Sequence, residues 1–192
     1  RNRVHDGIVY LQITRGVARR EFAFPLADTP ASVVVSARSN DRARLAQLAA
    51  DGIAVITVPD TRWRRVDIKS VALLPNVLAK QTAREQGARE AWLVDVQGRV
   101  TEGASSNAWI VSRDGKLITR PLGHDVLPGI TRSVVLDLIA AQGLGFEERA
   151  FTVEEAYAAR EAFVTSATQI VMPVTSINGR PVGNGAPGLV AS

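Results

Sequence analysis

Short β-branched runs, separated by turn-forming pairs and broken at irregular intervals by stretches of helical spacing, decide the architecture of this 192-residue chain. Ile8 to Arg15 alternates apolar and polar residues, and Ser32 to Ala37 and Gly52 to Val58 are compact runs bounded by turn formers, which predicts three strands. Asp41 to Ala50 has the spacing of a helix between the last two. Leu73 to Gln86 carries Leu74, Val77, Leu78 and Gln81 at helical spacing, with Pro75 in the first turn, where a missing N–H is tolerated. Strands are expected again at Glu90 to Asp95, Asn107 to Val111 and Leu117 to Thr119, with Gln97-Gly98 and Asp114-Gly115 as turns. Thr131 is expected to cap a helix that runs to Gln142 and stops before Gly143. Val153 to Arg160 reads as a shorter helix, Ala162 to Ser166 and Val171 to Ile177 as further strands, and Asn178-Gly179 as a hairpin turn. Many strands, short turns and irregularly inserted helices imply a mixed α/β (α+β) domain on curved sheets.

With 46% hydrophobic residues the chain can bury a sizeable core. No apolar run approaches the length of a bilayer span, and no secretory leader pattern opens the sequence, so a cytoplasmic protein with no membrane partner is expected. The absence of cysteine excludes disulfides and thiolate chemistry, and two histidines leave no basis for a metal centre. The net charge of +4 and pI of about 10.1 would suit small anions or nucleic acid. The basic residues are spread from end to end, and the densest cluster, Arg62, Arg64 and Arg65, is interrupted by Trp63 and followed by Asp67. With no helix-turn-helix, zinc finger or stacking platform beside that charge, no nucleic-acid partner is expected. The chain opens at Arg1 without methionine and stops in a Gly/Pro-rich region, which reads as part of a longer protein.

Only three of the 23 basic residues are lysines, the other 20 being arginines. Lys80 and Lys116 read as surface residues. Lys69 sits in the apolar, strand-like Val66-Asp67-Ile68-Lys69-Ser70-Val71, where Asp67 and Lys69 would share a face. Arginine cannot replace a lysine that must lose its proton and attack a carbonyl, because guanidinium stays charged. From the residues alone, that chemistry stands beside a plain alternative in which Lys69 pairs with Asp67 or reaches solvent from a sheet edge. Thr101-Glu102-Gly103-Ala104-Ser105-Ser106-Asn107 reads as a tight polar loop whose carboxylate suits a heterocyclic N–H, or as a loop bonded to its own backbone. Leu127-Pro128-Gly129-Ile130-Thr131-Arg132 enters a helix, where free backbone N–H groups and the helix dipole suit a phosphate. Thr165-Ser166-Ala167-Thr168 adds small polar residues after a strand.

In this order and approximate spacing, these segments resemble the fold-type-IV pyridoxal-phosphate enzymes, the class IV aminotransferases. Val9 to Gly16, Asp67 to Ser70, Leu74 to Gln81, Val100 to Asn107, Leu127 to Arg132 and Phe163 to Ser166 carry the resemblance. It implies a large cofactor-binding domain over residues 30–192, preceded over 1–29 by a remnant strand and a substrate-carboxylate loop, with a small N-terminal domain missing. It also implies that Lys69 forms the internal aldimine with pyridoxal phosphate and moves the substrate α-proton, and that Glu102 pairs with the pyridinium nitrogen. Ser105, Ser106 and Asn107 would line the cofactor edge and Leu127 its ring. Ile130, Thr131, Ser166 and Ala167 would hold the phosphate, and Arg20 the substrate α-carboxylate. The implied reaction is transamination between an amino acid, favoured as the D-form, and a 2-oxo acid, by a homodimer. Branched-chain aminotransferase and aminodeoxychorismate lyase chemistry share this fold, and a non-catalytic anion- or nucleic-acid-binding module is the alternative outside it. Phe22 stands where a histidine is expected beside Arg20, and Ala167 where a hydroxyl residue is expected near the phosphate.

Overall fold

The computed structural model describes residues 3–191. The chain forms two compact units, Arg1–Arg44 and Leu45–Ser192. The first is built on the antiparallel pair β1 (Gly7–Thr14) and β2 (Ser32–Ser39), in continuous register from Gly7 opposite Ser39 to Thr14 opposite Ser32. Helix α1 (Arg42–Asp51) follows β2.

The second unit continues with β3 (Ile53–Pro59), α2 (Leu74–Glu85), β4 (Glu90–Val94), β5 (Val100–Gly103), β6 (Asn107–Val111), β7 (Leu117–Thr119), α3 (Ile130–Gln142), β8 (Phe146–Glu148), α4 (Val153–Ala158), β9 (Glu161–Ser166), β10 (Ile170–Ile177) and β11 (Arg180–Pro181). Its strands form one mixed sheet in the order β5-β4-β3-β10-β9-β6-β7-β8, with β11 paired to β10. The pairs β3–β4, β3–β10 and β7–β8 are parallel and the others antiparallel.

Curvature follows from connectivity. In the sheet order β5 and β6 are five places apart, about 24 Å in a flat sheet at ~4.8 Å per strand. They are joined in sequence by only Ala104, Ser105 and Ser106, a link that spans at most about 14 Å even when extended. The sheet therefore curls until the two meet, where the Gly103 N–H donates to the Ser106 carbonyl at 2.7 Å. This is the curved mixed sheet expected from the sequence.

Three apolar clusters hold helices on the sheet, the largest taking in Trp92, Val100, Ile110 and Phe151 together with Ala156 of α4. Small Ala79 and Ala83 let α2 approach Ile56, Ala91, Leu93 and Ala104 closely. Ile139 of α3 packs into the cluster of Trp109, Val111, Leu117 and Phe163, in which Trp109 and Phe163, opposite each other on β6 and β9, stack at 5.4 Å. Such pairs contribute about 0.5–1.5 kcal/mol beyond their buried area. Helix α3 ends as expected before Gly143, whose φ of 64° lies in the left-handed region where glycine has no Cβ penalty.

Three local expectations are corrected. Residues 61–73 hold no strand, so Lys69 is not on a strand face. The Val66 N–H goes to the His124 carbonyl and the Ile68 N–H turns back to the Arg65 carbonyl, while Asp67 is held by the Arg65 guanidinium fork at 2.9 Å through each nitrogen. Alternation there lacked a neighbouring strand to pair with. The segment from Thr101 is not wholly a loop, since Thr101, Glu102 and Gly103 belong to β5 and only residues 104–106 turn. Thr131 is not the cap of α3, because Gly129 occupies that position with no side-chain hydrogen bond and Thr131 lies inside the first turn.

Candidate active site

Glu102 lies on β5, where the curl brings β5 against β6. Residue alternation along β5 and the short turn to β6 bring it beside Asn107, whose Nδ2 donates to Glu102 Oε2 at 3.0 Å and to the Leu127 carbonyl at 2.9 Å. The Leu127 N–H also donates to Oε2, at 3.1 Å. The other oxygen, Oε1, accepts from Arg62 Nη1. Arg62 in turn grips Asp60 with two nitrogens, Nε to Oδ1 at 2.9 Å and Nη2 to Oδ2 at 2.7 Å, and Thr101 Oγ1 donates to the same Asp60 at 2.8 Å. The side chains of Asp60, Arg62 and Glu102 keep only 12%, 4% and 6% of their exposure, so this is an internal ion triad.

Burial pushes the Glu102 carboxyl up to about 7, against the opposing pull of the Arg62 charge and of the hydrogen bonds from Arg62 and Leu127. Asp60 behaves oppositely: burial favours its neutral form, but the Arg62 hydrogen bonds and charge outweigh that and hold it below the usual carboxylate range. A raised folded-state value means that native protein binds more protons than unfolded chain between about pH 4.5 and 7, so Glu102 makes stability fall as pH rises through that window. The contribution is on the order of 3 kcal/mol across the window. Urea denaturation of cofactor-free Glu102→Gln protein is expected to lack this part of the pH slope; a variant with the wild-type slope would contradict it.

The neighbouring expected residues are placed around this centre. Gly129 lies against Asn107, and a Cβ there would fall 2.2 Å from Asn107 Oδ1, so only glycine lets α3 start so close to β6. Ile130 and Thr131 open α3, where first-turn N–H groups have no acceptor within the helix. Ser166 ends β9 one residue beyond Thr165, which pairs with Asn107 in the sheet, and its hydroxyl accepts from the Gln169 N–H at 3.2 Å. Ala167 and Thr168 follow it on the surface. Ser105 and Ser106 both donate to Glu90 Oε2, at 2.8 and 3.0 Å, so their hydroxyls are turned to a buried carboxylate.

Among the described residues, Lys69 is exposed with no hydrogen bond or ion pair, whereas Lys80 meets Glu90 at 3.2 Å and the Arg89 carbonyl at 2.7 Å, and Lys116 meets Glu147 at 2.6 Å. The expectation that Lys80 is a plain surface residue is corrected by that link to buried Glu90. Arg20 belongs to the first unit, in the irregular segment after β1, with its guanidinium 5.7 Å from the Phe22 ring centroid.

Three participants carry no warning in the residue types alone. Arg62 appears only as part of a basic cluster, yet it is the buried hub of the triad; the signal that could have found it is Asp60 two residues before it. Asp60 itself follows a strand and resembles an ordinary turn residue. Glu90 looks like the first residue of a strand, and its burial shows only once β4 has paired with β5.

The donor set fits a protonated nitrogen heterocycle carrying a phosphate. The three hydrogen bonds to Glu102 leave Oε1 with capacity to accept one more donor, and the start of α3 has N–H groups without an acceptor inside the helix.

The Amino-transferase class IV family matches residues 1–177 of the chain. A D-alanine aminotransferase of Bacillus licheniformis is 44% identical over 97% of this chain and 64% of its own length, and one from Staphylococcus haemolyticus is 41% identical over 98% and 66%. The chain thus spans just under two thirds of the length of these curated relatives. Among solved structures, the Escherichia coli branched-chain amino acid aminotransferase superposes with a TM-score of 0.81 at 27% identity, covering 96% of this chain and 62% of its own. A branched-chain amino acid aminotransferase from T.th., solved with pyridoxamine 5'-phosphate, gives 0.82 at 29% identity, covering 95% and 61%. A curled mixed sheet carrying a buried carboxylate on β5, a lysine on the loop after β3, and a family match over residues 1–177 make this a member of the class IV aminotransferases.

Proposed function

We propose that the protein transfers an amino group between a D-amino acid and a 2-oxo acid with pyridoxal 5'-phosphate, which Lys69 holds covalently. The observation that carries this is the conjunction of a chemically free Lys69 with a buried Glu102 that keeps one acceptor position open. When bound, the cofactor supplies an aldehyde for the amino group and a ring that accepts the electron pair released at the substrate α-carbon. Once the substrate amine has displaced it from the cofactor, the freed Lys69 amine would take the proton from the substrate α-carbon and pass it on, which an amine can do and a guanidinium cannot. Glu102 accepts the ring N–H and fixes the ring's orientation. Ile130 and Thr131 would hold the phosphate through N–H groups and the Thr131 hydroxyl, with Ser166 and the main chain at Ala167 contributing, and Leu127 would pack on the ring; Asn107 ties Leu127 to Glu102. Ser105 and Ser106 line the cofactor edge while anchored on Glu90. Arg20 is the proposed ligand of the substrate α-carboxylate, its planar fork suiting that group.

The D-alanine aminotransferase names of the curated relatives favour a D-substrate, and the branched-chain names of the solved structures make transamination of a branched L-amino acid the second reading. Incubation with 2-oxoglutarate and each enantiomer of alanine and leucine, followed by chiral analysis, separates them. Consumption of D-alanine with D-glutamate as product is expected, and L-glutamate from L-leucine would replace the first reading by the second.

A homodimer is part of the same proposal. Leu74, Val77 and Leu78 of α2 and Val71 before it are exposed and apolar, a surface that a second copy would cover. Light scattering is expected to give twice the chain mass, and replacement of Val77 by Glu to shift it toward monomer; a wild-type monomer would remove this part. Among the described residues no helix is long and apolar enough to cross a membrane.

A further inference from the structure

The pyridoxal phosphate reading gives Glu102 a role but leaves its electrostatics incomplete, because the carboxylate already shares Oε1 with a guanidinium. A lone Arg62–Glu102 pair would be neutral as a whole, and a neutral pair has little to offer a cationic ring nitrogen. Arg62 also stands next to the one lone pair left for that nitrogen, where its positive charge would oppose protonation of the ring.

We propose that Asp60 is a positioning residue for the cofactor nitrogen: by its bidentate grip on Arg62 it cancels the guanidinium charge, so that the Asp60–Arg62–Glu102 triad presents one net negative charge to the ring. The geometry separates this from an incidental surface pair. Asp60 holds Arg62 through Nε and Nη2, which leaves Nη1 directed at Glu102, and Thr101 Oγ1 fixes Asp60 from the same strand that carries Glu102. Arg62 Nη2 also donates to the Asp125 carbonyl at 3.1 Å, two residues before Leu127. Other charges nearby are engaged elsewhere: the Asp125 carboxylate meets Arg120 at 2.6 Å, and Arg120 meets Asp95 at 2.8 Å. The charge that Glu102 experiences at close range is therefore set by Arg62 and Asp60. The raised Glu102 carboxyl agrees with this, since Asp60 adds to the cost of ionising it.

This inference rests on the cofactor reading, and two measurements keep their failures apart. In cofactor-free protein labelled with 13Cδ-glutamate, the Glu102 resonance, assigned by its loss in Glu102→Gln, is titrated in wild type and Asp60→Asn. Loss of the Asp60 charge is expected to lower the Glu102 midpoint by about one unit, a tenfold change in proton affinity. If Asp60 served only as a mechanical support for Arg62, the guanidinium would drift and the midpoint would rise; a rise, or no change, overturns the proposal. In protein loaded with pyridoxal phosphate labelled with 15N in the ring, the ratio of protonated to unprotonated nitrogen is expected to fall about tenfold in Asp60→Asn, and an unchanged ratio also overturns it. Should Asp60→Asn fold poorly, Asp60→Ser carries the same expectations, and Asp60→Glu, which keeps the charge, is expected to return both readings toward wild type. A wild-type Glu102 resonance that ignores pyridoxal phosphate would overturn the cofactor reading itself, and this role with it, whatever the first titration gives.

Discussion

Lys69→Arg is expected to lower transamination by about 10^4-fold or more while leaving the fold intact. The substitution keeps length and charge but removes the one property needed, an amine that can lose its proton and join a carbonyl. A positioned acid–base group alone contributes about 10^2–10^4-fold, and here the covalent anchor is lost with it. Because Lys69 is exposed and has no partner among the described residues, the urea midpoint should correspond to a stability change within about 0.5 kcal/mol. Retained turnover with this variant would transfer the chemistry to another amine and remove the basis for the proposed mechanism.

Arg62→Met is expected to have the largest effect on stability. It deletes the cation between two internal carboxylates while filling most of the same volume, so that Asp60 and Glu102 are left without their counter-charge. Breaking such a pair from one side typically costs about 3–5 kcal/mol, because the remaining charge is still buried. The loss should depend on pH in a defined direction. Glu102, with a value near 7, is protonated well before pH 5, which relieves the repulsion, so the deficit measured by urea denaturation should be larger at pH 8 than at pH 5. An equal deficit at both values would mean that packing, not charge, is what Arg62 supplies.

These two residues also show what could be read from the sequence and what could not. Elements such as Asn107–Val111, a compact apolar run, and Leu74–Glu85, with its helical spacing, are legible because such runs and spacings are local properties. Glu102 and Lys69 are legible as chemical types in family order, though Lys69 lies on a loop: the alternation around it is real, but the strand needed to pair with it does not exist. Arg62 is illegible for a different reason. One partner, Asp60, is two residues away, but Glu102 is 40 residues further on, and the two meet only because β4 pairs with both β3 and β5 and so sets β5 two strands from the end of β3. Glu90 is hidden in the same way, since its serine partners are 15 and 16 residues downstream in the turn after β5. Such pairing depends on which strands become neighbours, and strand order leaves no local pattern.

The central claim, that Lys69 is the cofactor lysine, is tested most directly by incubating the protein with pyridoxal phosphate, reducing with borohydride and mapping the modified peptide by mass spectrometry. Lys80 and Lys116 serve as internal controls, each engaged with a carboxylate. Selective labelling of Lys69 is the predicted result; equal labelling of all three lysines, or labelling of Lys80 or Lys116 in preference, would contradict it.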